Sequence, residues 1–143
     1  MDFREVLNCD LMDVERIAVA SFDDYSRDDF LKMSQDKNYK FIVSCIGEKI
    51  VGFLIFLNID EKVEIIKIAT DPMLRKQGIA TGLMNYIQDF VVKNGRRGVI
   101  LEVNEKNEPA RALYQKFGFR EIYVRKKYYH NTDDAIIMEW NAL

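Results

Sequence analysis

The chain has 143 residues, of which 48% are hydrophobic and 31% charged, the balance of one soluble globular domain with a full-sized core. A net charge of −2 argues against a strongly basic nucleic-acid surface, and no run of about eighteen apolar residues is present to span a membrane. Its two cysteines, Cys9 and Cys45, are too few and too far apart for a disulfide framework or a zinc cage, so both read as buried thiols.

In chain order, "MDFREVLNCD" lacks the basic-then-apolar pattern of a signal peptide, so the expected location is cytoplasmic. "FREVL" reads as a short strand. A helix follows from Asp10, its expected N-cap, with Leu11, Val14, Ile17 and Ala18 at helical spacing. "SRDDFLKMS" is a second short helix, capped by Ser26 with Asp29 three residues on. Three β segments come next, "YKFIVSCI", "KIVGFLIFLNI" and "KVEIIKIAT", parted by turn signals at Gly47-Glu48 and Asn58 to Glu61, which predicts two successive hairpins. Asp71-Pro72 ends the third, because proline cannot continue a ladder. A longer helix begins near Ile79, carries Leu83, Ile87, Phe90 and Val91 on one face, and closes at Asn94-Gly95. "GVILEV" is a strand, Asn107 to Phe117 a helix stopped by Gly118, and "FREIYVRKKYY" and "DDAIIMEW" are two closing strands. The order β α α β β β α β α β β implies a mixed sheet with helices on its faces, an α/β layered domain spanning residues 1–143.

The segment "RKQGIA", Arg75 to Ala80, lies between a strand and a helix start, where glycine costs about 1 kcal/mol against alanine if it is helical. A strand, a tight glycine turn and a helix N-terminus form an anion site, since the first amides of the helix lack internal partners. Gly78 removes a Cβ that would hold a phosphate off the backbone, Ala80 keeps the next turn small, and Arg75 and Lys76 add charge at the rim. A glycine tolerated in a turn beside two solvated cations is the competing explanation. No G-x-x-x-x-G-K-[ST] is present, and no G-x-G-x-x-G follows a strand, which excludes a nucleoside-triphosphate P-loop and disfavours a dinucleotide fold.

Arg75-x-x-Gly78-x-Ala80 matches the [QR]-x-x-G-x-[GA] signature of the GCN5-related N-acetyltransferases (GNAT). "IATDP" before the turn, "LEV" on the next strand, "N-x-x-A-x-x-LY-x-x-x-GF" from Asn107 to Phe119 and "AIIM" near the end follow in family order. The chain therefore resembles that superfamily, and within it the RimI-type branch, which acetylates the N-terminal alanine of a ribosomal protein. The resemblance implies the GNAT fold, a mostly antiparallel seven-stranded sheet whose central strands splay. It also implies acetyl-CoA as donor, gripped by its pyrophosphate at Arg75, Lys76, Gln77, Gly78, Ile79, Ala80 and Thr81. The pantetheine arm would run along Ile68, Ala69 and Thr70 like an added strand, a main-chain N–H there would reach the acetyl oxygen, and Asn107 and Tyr114 would also touch the cofactor.

Acetyl transfer to an amine needs a neutral amine, a close thioester, donors for the oxyanion and a proton for the thiolate. Strand alternation puts Glu102 with Ile100 and Asn104, away from Val99, Leu101 and Val103. A carboxylate in mid-strand among apolar residues is expected to be desolvated, the setting that makes a carboxyl a general base; a solvated face or a lysine partner is the plain alternative. In RimI-type enzymes this glutamate is the base, and Glu64 on the neighbouring segment is the fallback. Tyr114 reads as a core aromatic from its helical stripe with Ala110, Leu113 and Phe117; the resemblance makes it the general acid. A phenol ordinarily near pKa 10 can protonate a thiolate of about 8.5. Asn107 is an ordinary helix cap, a cofactor contact, or both.

Nα-acetylation is the easier demand on one modest base, because an α-amine has a pKa of about 7.7–8.0 against about 10.4 for lysine. "SFDDYSRDDF" (Ser21 to Phe30) and "KKYYHNTDD" (Lys126 to Asp134) correspond to the family's two acceptor loops. Tyr25, Tyr128 and Tyr129 are the candidate acceptor-binding residues; Asp23, Asp24, Asp133 and Asp134 either attract a cationic terminus or are solvated. His130, the only histidine, has no partners for a metal site, and no metal is expected. Two departures touch the acceptor side: Asp24-Tyr25-Ser26 stands where the branch commonly has Pro-Trp-Ser, and Asn104 where it has arginine. The expected acceptor is a protein or peptide N-terminus, a ribosomal protein among the options, with no nucleic-acid or membrane partner. A small-molecule amine (polyamine, amino acid or aminoglycoside-like) and a non-catalytic acyl-CoA-binding module are the alternatives. The sequence leaves the oligomeric state open, and a monomer is compatible with it.

Overall fold

A computed structural model describes residues 1–21, 25–129 and 132–143. The strands are β1 (Asp2–Glu5), β2 (Tyr39–Ile46), β3 (Lys49–Leu57), β4 (Lys62–Thr70), β5 (Gly98–Asn104), β6 (Arg120–Tyr129) and β7 (Asp133–Asn141). The helices are α1 (Leu11–Ala20), α2 (Arg27–Gln35), α3 (Ile79–Lys93) and α4 (Glu108–Lys116). The strands form one seven-stranded sheet in the order β1-β2-β3-β4-β5-β7-β6, in which β4 and β5 are parallel while β1–β2, β2–β3, β5–β7 and β7–β6 are antiparallel. The element order and sheet class follow the hydrophobic pattern. Among the described residues no helix is long and apolar enough to cross a membrane.

The chain divides into two compact units. The first comprises Met1–Asn58 and Ile66–Ile87. Its core joins Leu11, Val14, Ile17 and Ala18 of α1 and Phe30 of α2 to Phe41, Val43 and Cys45 of β2 and Phe53 and Ile55 of β3. Phe30 meets Phe41 and Phe53 at ring-centroid distances of 6.0 and 5.6 Å, and burying each such ring stabilises the fold by about 1.5–3 kcal/mol. The opposite face of β3 approaches α3. A Cβ built on Gly52 would lie 3.0 Å from Ile79 Cγ2 and 3.0 Å from the Ala69 carbonyl oxygen, so only glycine lets the helix start come this close.

Two local expectations change and a third holds. Asp10 does not cap α1 with its side chain; the carboxylate turns back to accept from Arg4 Nη1 (2.6 Å), Arg4 Nη2 (3.0 Å) and the Leu7 amide (2.7 Å). The guanidinium first, then the amide, hold that carboxyl below the usual range against the cost of burial. Cys45 is buried as expected but Cys9 is exposed, because it sits in a 3-10 turn ahead of the apolar stripe of α1. Ser26 behaves as read: its hydroxyl accepts from the Asp29 amide (3.2 Å) while Asp29 accepts from the Ser26 amide (2.8 Å).

The second unit comprises Ile59–Ile65 and Gln88–Leu143. Val63, Val99, Leu101, Val103, Ile136, Met138, Tyr114 and Phe119 supply its buried apolar side chains. The two predicted helix stops are present. The Gly95 and Arg96 amides return to Val92 and Val91, and the Gly118 and Phe119 amides to Gln115 and Tyr114, which closes the last turns of α3 and α4.

Candidate active site

The turn before α3 is pinned from behind. The Asp71 amide donates to the Val51 carbonyl (2.8 Å), and its carboxylate accepts from the Met73 amide (3.0 Å) and from Arg16 Nη1 on α1 (3.2 Å). Asp71 is 2% exposed, and the Met73 amide, more than Arg16, holds its carboxyl below the ordinary range despite burial. From this peg the chain passes through a 3-10 turn (Pro72–Leu74) into Arg75, Lys76, Gln77 and Gly78, all four exposed. Lys76 has φ +66° and Gly78 φ +78°. Left-handed backbone favours glycine, so Gly78 has a conformational reason that spacing alone did not reveal. A Cβ on Gly78 would find nothing within 4 Å, so the approach to this backbone is open. The Gly82 amide donates to the Gly78 carbonyl (2.9 Å), the first helical bond, which leaves the amides of Ile79, Ala80 and Thr81 without acceptors inside α3. Ile79 is buried and anchors the helix, while Ala80 and Thr81 are half-buried.

Ile68, Ala69 and Thr70 are the half-buried last residues of β4. The parallel register of β4 with β5 runs from Lys62↔Gly98 to Ile65↔Leu101, and β4 continues to Thr70 beyond it. On β5 the next residue is Glu102.

Glu102 is not in apolar surroundings. Its side chain is 28% exposed; Oε1 lies 3.3 Å from Arg125 Nη1, and Oε2 accepts a 3.3 Å hydrogen bond from the Tyr129 hydroxyl. Both partners come from β6, reached across β7. The expectation of a desolvated carboxylate thus gives way to one matched by a cation and a phenol. Tyr129 owes its aim to a bulge: β6 pairs with β7 at Arg125↔Ala135 and next at Tyr129↔Asp133, with Lys127 at φ +51° and its amide donating to Asp134 Oδ1 (2.7 Å). Burial, helped by the Glu102 charge, pushes the Tyr129 phenol up to about 12. Tyr128 turns the other way, 52% exposed, with its ring edge-on to Tyr129 (5.2 Å between centroids) and Arg125 5.3 Å from its centroid.

Tyr114 lies on the buried stripe of α4, 7% exposed and 5.9 Å from the Phe119 ring. Burial pushes its phenol up to about 12 as well, so it stays protonated throughout the physiological range. Asn107 caps α4 as expected, its Oδ1 accepting from the Ala110 amide (3.3 Å), and it is exposed. Tyr25 is half-buried against Phe30 (5.7 Å), with Lys67 Nζ 4.5 Å from its ring centroid. Glu64 is exposed and opposite Ile100.

The aspartates after β6 have structural duties. Asp133 faces Lys106 Nζ (2.7 Å) and accepts from Asn104 Nδ2 (3.1 Å); Lys106 above all, then Asn104, holds its carboxyl low. Asp134 is held low chiefly by the Lys127 amide. Asp23, Asp24 and His130 lie outside the described residues. Among the described residues no group of three or more histidine, cysteine, aspartate or glutamate side chains is placed to hold a metal ion. Arg125 escaped the sequence reading, because its partner is 23 residues away and two strands across.

The model of the acetyltransferase (GNAT) family matches residues 5–119. The chain belongs to this acetyltransferase family. Within it, the chain is 37% identical over 93 residues to the [ribosomal protein bS18]-alanine N-acetyltransferase of Escherichia coli K12, an alignment that spans 63% of this chain and 63% of that relative's length. It is 29% identical over 122 residues to the N-alpha-acetyltransferase of Saccharolobus solfataricus, covering 76% of this chain and 73% of that one. The crystal structure of the ribosomal-protein-S18-alanine N-acetyltransferase from Escherichia coli superposes with a TM-score of 0.89 at 28% identity, covering 98% of this chain and 92% of that one. Family membership bears out the likeness read from "RKQGIA", "LEV" and "ALY".

Proposed function

We propose that this chain transfers the acetyl group of acetyl-CoA to the α-amine of a protein or peptide N-terminus. One observation carries the reading: Glu102, the first residue of β5 past its register with β4, is a half-buried carboxylate with each oxygen engaged by a β6 side chain. That is the position at which the family resemblance puts the base.

Acetyl-CoA, when bound, supplies an acyl carbonyl activated by a sulfur leaving group, and a diphosphate by which to be held. The turn ahead of α3 fits a diphosphate: its backbone is open at Gly78, three amides lack helical acceptors, and Arg75 and Lys76 stand exposed beside them. Gln77, Ile79, Ala80 and Thr81 complete that contact in our reading, while Ile68, Ala69 and Thr70 offer main-chain groups to the pantetheine arm and the acetyl oxygen. Glu102 takes the proton that the amine loses as its nitrogen is acylated. Tyr114 gives its hydroxyl proton to the departing sulfur, and exchange with water resets both groups. One proton leaves the nitrogen and one reaches the sulfur, so the transfer balances.

The family likeness suggests Tyr25, Tyr128 and Tyr129 as acceptor-binding residues and a ribosomal protein terminus as one acceptor. The test is a mass-spectrometric acceptor screen with acetyl-CoA. We expect acetylated peptide N-termini; acetylation of free polyamines, amino acids or aminoglycosides with no peptide terminus modified would replace this reading with a small-molecule one. Binding of acetyl-CoA without any turnover would leave an acyl-CoA-binding module.

A further inference from the structure

The charge next to Glu102 is the feature that the proposed reaction does not require. A base needs a lone pair; it does not need a guanidinium 3.3 Å from its other oxygen. The register explains how that guanidinium gets there. Asn104 pairs with Ala135 on β7, and Ala135 pairs with Arg125 on β6, so the three form one row on the face that carries Glu102. Ala135 contributes only a methyl to that row, which leaves space for the long Arg125 side chain to cross β7. In the adjacent row Glu102 pairs with Ile137, which brings no charge of its own.

Several of the described charged groups on these strands are matched among themselves. Asp133 is paired with Lys106 (2.7 Å), and Asp134 with Lys126 (3.5 Å). Glu139, farther along β7, holds Lys62 (2.6 Å) and Arg120 (3.3 Å), and Glu121 holds Arg111 (2.6 Å). Tyr129, protonated up to about 12, contributes a donor and no charge. Glu102 and Arg125 together therefore sum to zero, so Glu102 itself presents no net negative charge to an ammonium ion; one strand away on β4, opposite Ile100, Glu64 stands exposed.

We infer that Arg125 is a specificity-determining residue that cancels the charge of Glu102, so that the acceptor enters beside it as the uncharged amine. This inference rests on the acetyltransferase reading above. An acceptor site that excludes ammonium favours a peptide terminus over a lysine side chain, because at neutral pH the free-base fraction differs by roughly 250- to 500-fold between the two. A site with a bare carboxylate would bind either cation unproductively.

Calorimetric binding of a lysine-free peptide with a free N-terminus, to protein saturated with CoA so that no acetyl can move, tests this directly. In the wild type the peptide Kd should tighten at least tenfold from pH 6 to pH 9. Arg125→Met, which bares Glu102, should bind the protonated peptide at pH 6 at least tenfold more tightly than wild type and lose most of the pH dependence, with CoA affinity unchanged. Arg125→Lys, which keeps the charge, should behave as wild type. Adding Arg125→Met to Glu102→Gln should leave the pH 6 affinity where Glu102→Gln alone puts it. The inference is overturned by a wild type that binds the peptide as well at pH 6 as at pH 9, by an Arg125→Met profile equal to wild type, or by the same change appearing without the Glu102 carboxylate. Arg125→Gln serves the same comparison if the methionine variant does not fold. A wild type that acetylates peptide termini yet gives one of those results sinks this inference alone; a wild type that acetylates no peptide sinks the acetyltransferase reading and the inference with it.

Discussion

The turn ahead of α3 and the β5–β6 face present their candidate groups in opposite ways. At the turn they are main-chain amides, fixed by two left-handed residues, Lys76 and Gly78, and by the Asp71 peg behind them. On β5 and β6 they are side chains, Glu102, Arg125 and Tyr129, that meet only because β7 lies between their strands and a bulge redirects one of them. A backbone site tolerates changes of side chain and fails when the φ angles change. A side-chain site fails when one atom is removed, while the fold persists.

The largest effects should therefore come from single-atom changes to side chains, at Tyr114 on α4 and Glu102 on β5. Tyr114→Phe removes only the hydroxyl that we propose protonates the leaving sulfur, and turnover should fall roughly 10²- to 10⁴-fold with acetyl-CoA Kd nearly unchanged. Glu102→Gln should cost a similar factor and shift or remove the acidic limb of the pH–rate profile. An unaltered limb would move the base role to Glu64 or to water. Steady-state kinetics beside calorimetry separates these outcomes from loss of binding.

Gly78→Val tests the other half of the contrast. A β-branched residue at φ +78° is strained, and its side chain would occupy the open approach to the amides. We expect acetyl-CoA Kd to weaken about tenfold or more, since left-handed backbone costs a residue with a Cβ roughly 1–2 kcal/mol. If affinity survives while the protein stays folded, the close-approach account of this glycine fails.

Smaller still is the effect of loosening the peg. Asp71→Asn should destabilise the fold by about 1–2 kcal/mol, the range for a weakened buried hydrogen bond to charge, and loosen acetyl-CoA binding a few-fold. The carboxyl is held below its ordinary value in the folded chain. Its contribution is therefore complete above about pH 4 and is lost as pH falls through the folded value, so thermal melts of wild type and Asp71→Asn should converge in acid. Converging melts with intact cofactor affinity would show that the peg serves stability alone. The mildest change is Asn107→Ala, which removes the α4 cap at a cost of about 1 kcal/mol. A drop in acetyl-CoA affinity beyond that small loss of stability would give Asn107 its second role.

The same contrast governs how much of the molecule was legible in advance. The order of strands and helices, the Ser26–Asp29 cap, the stops at Gly95 and Gly118 and the glycine turn of "RKQGIA" ahead of α3 are local properties, because each depends on residues within one or two turns of one another. Even the exposure of Cys9 and the backward turn of Asp10 toward Arg4 are local, set by the 3-10 turn ahead of α1; the cysteine count could not separate Cys9 from Cys45, and the helix-cap pattern at Asp10 did not include Arg4.

By itself, then, the sequence determined the family and the layered α/β class and supplied the candidate residues for acetyl transfer, since apolar period, glycine placement and short motifs are written along one stretch of chain. Only the tertiary structure decided the company that Glu102 keeps, how Asp133 and Asp134 are employed, and the left-handed backbone that favours glycine at Gly78. Those depend on register across β7 and on backbone angles, and both are fixed by contacts between segments that carry no mark of one another in the chain.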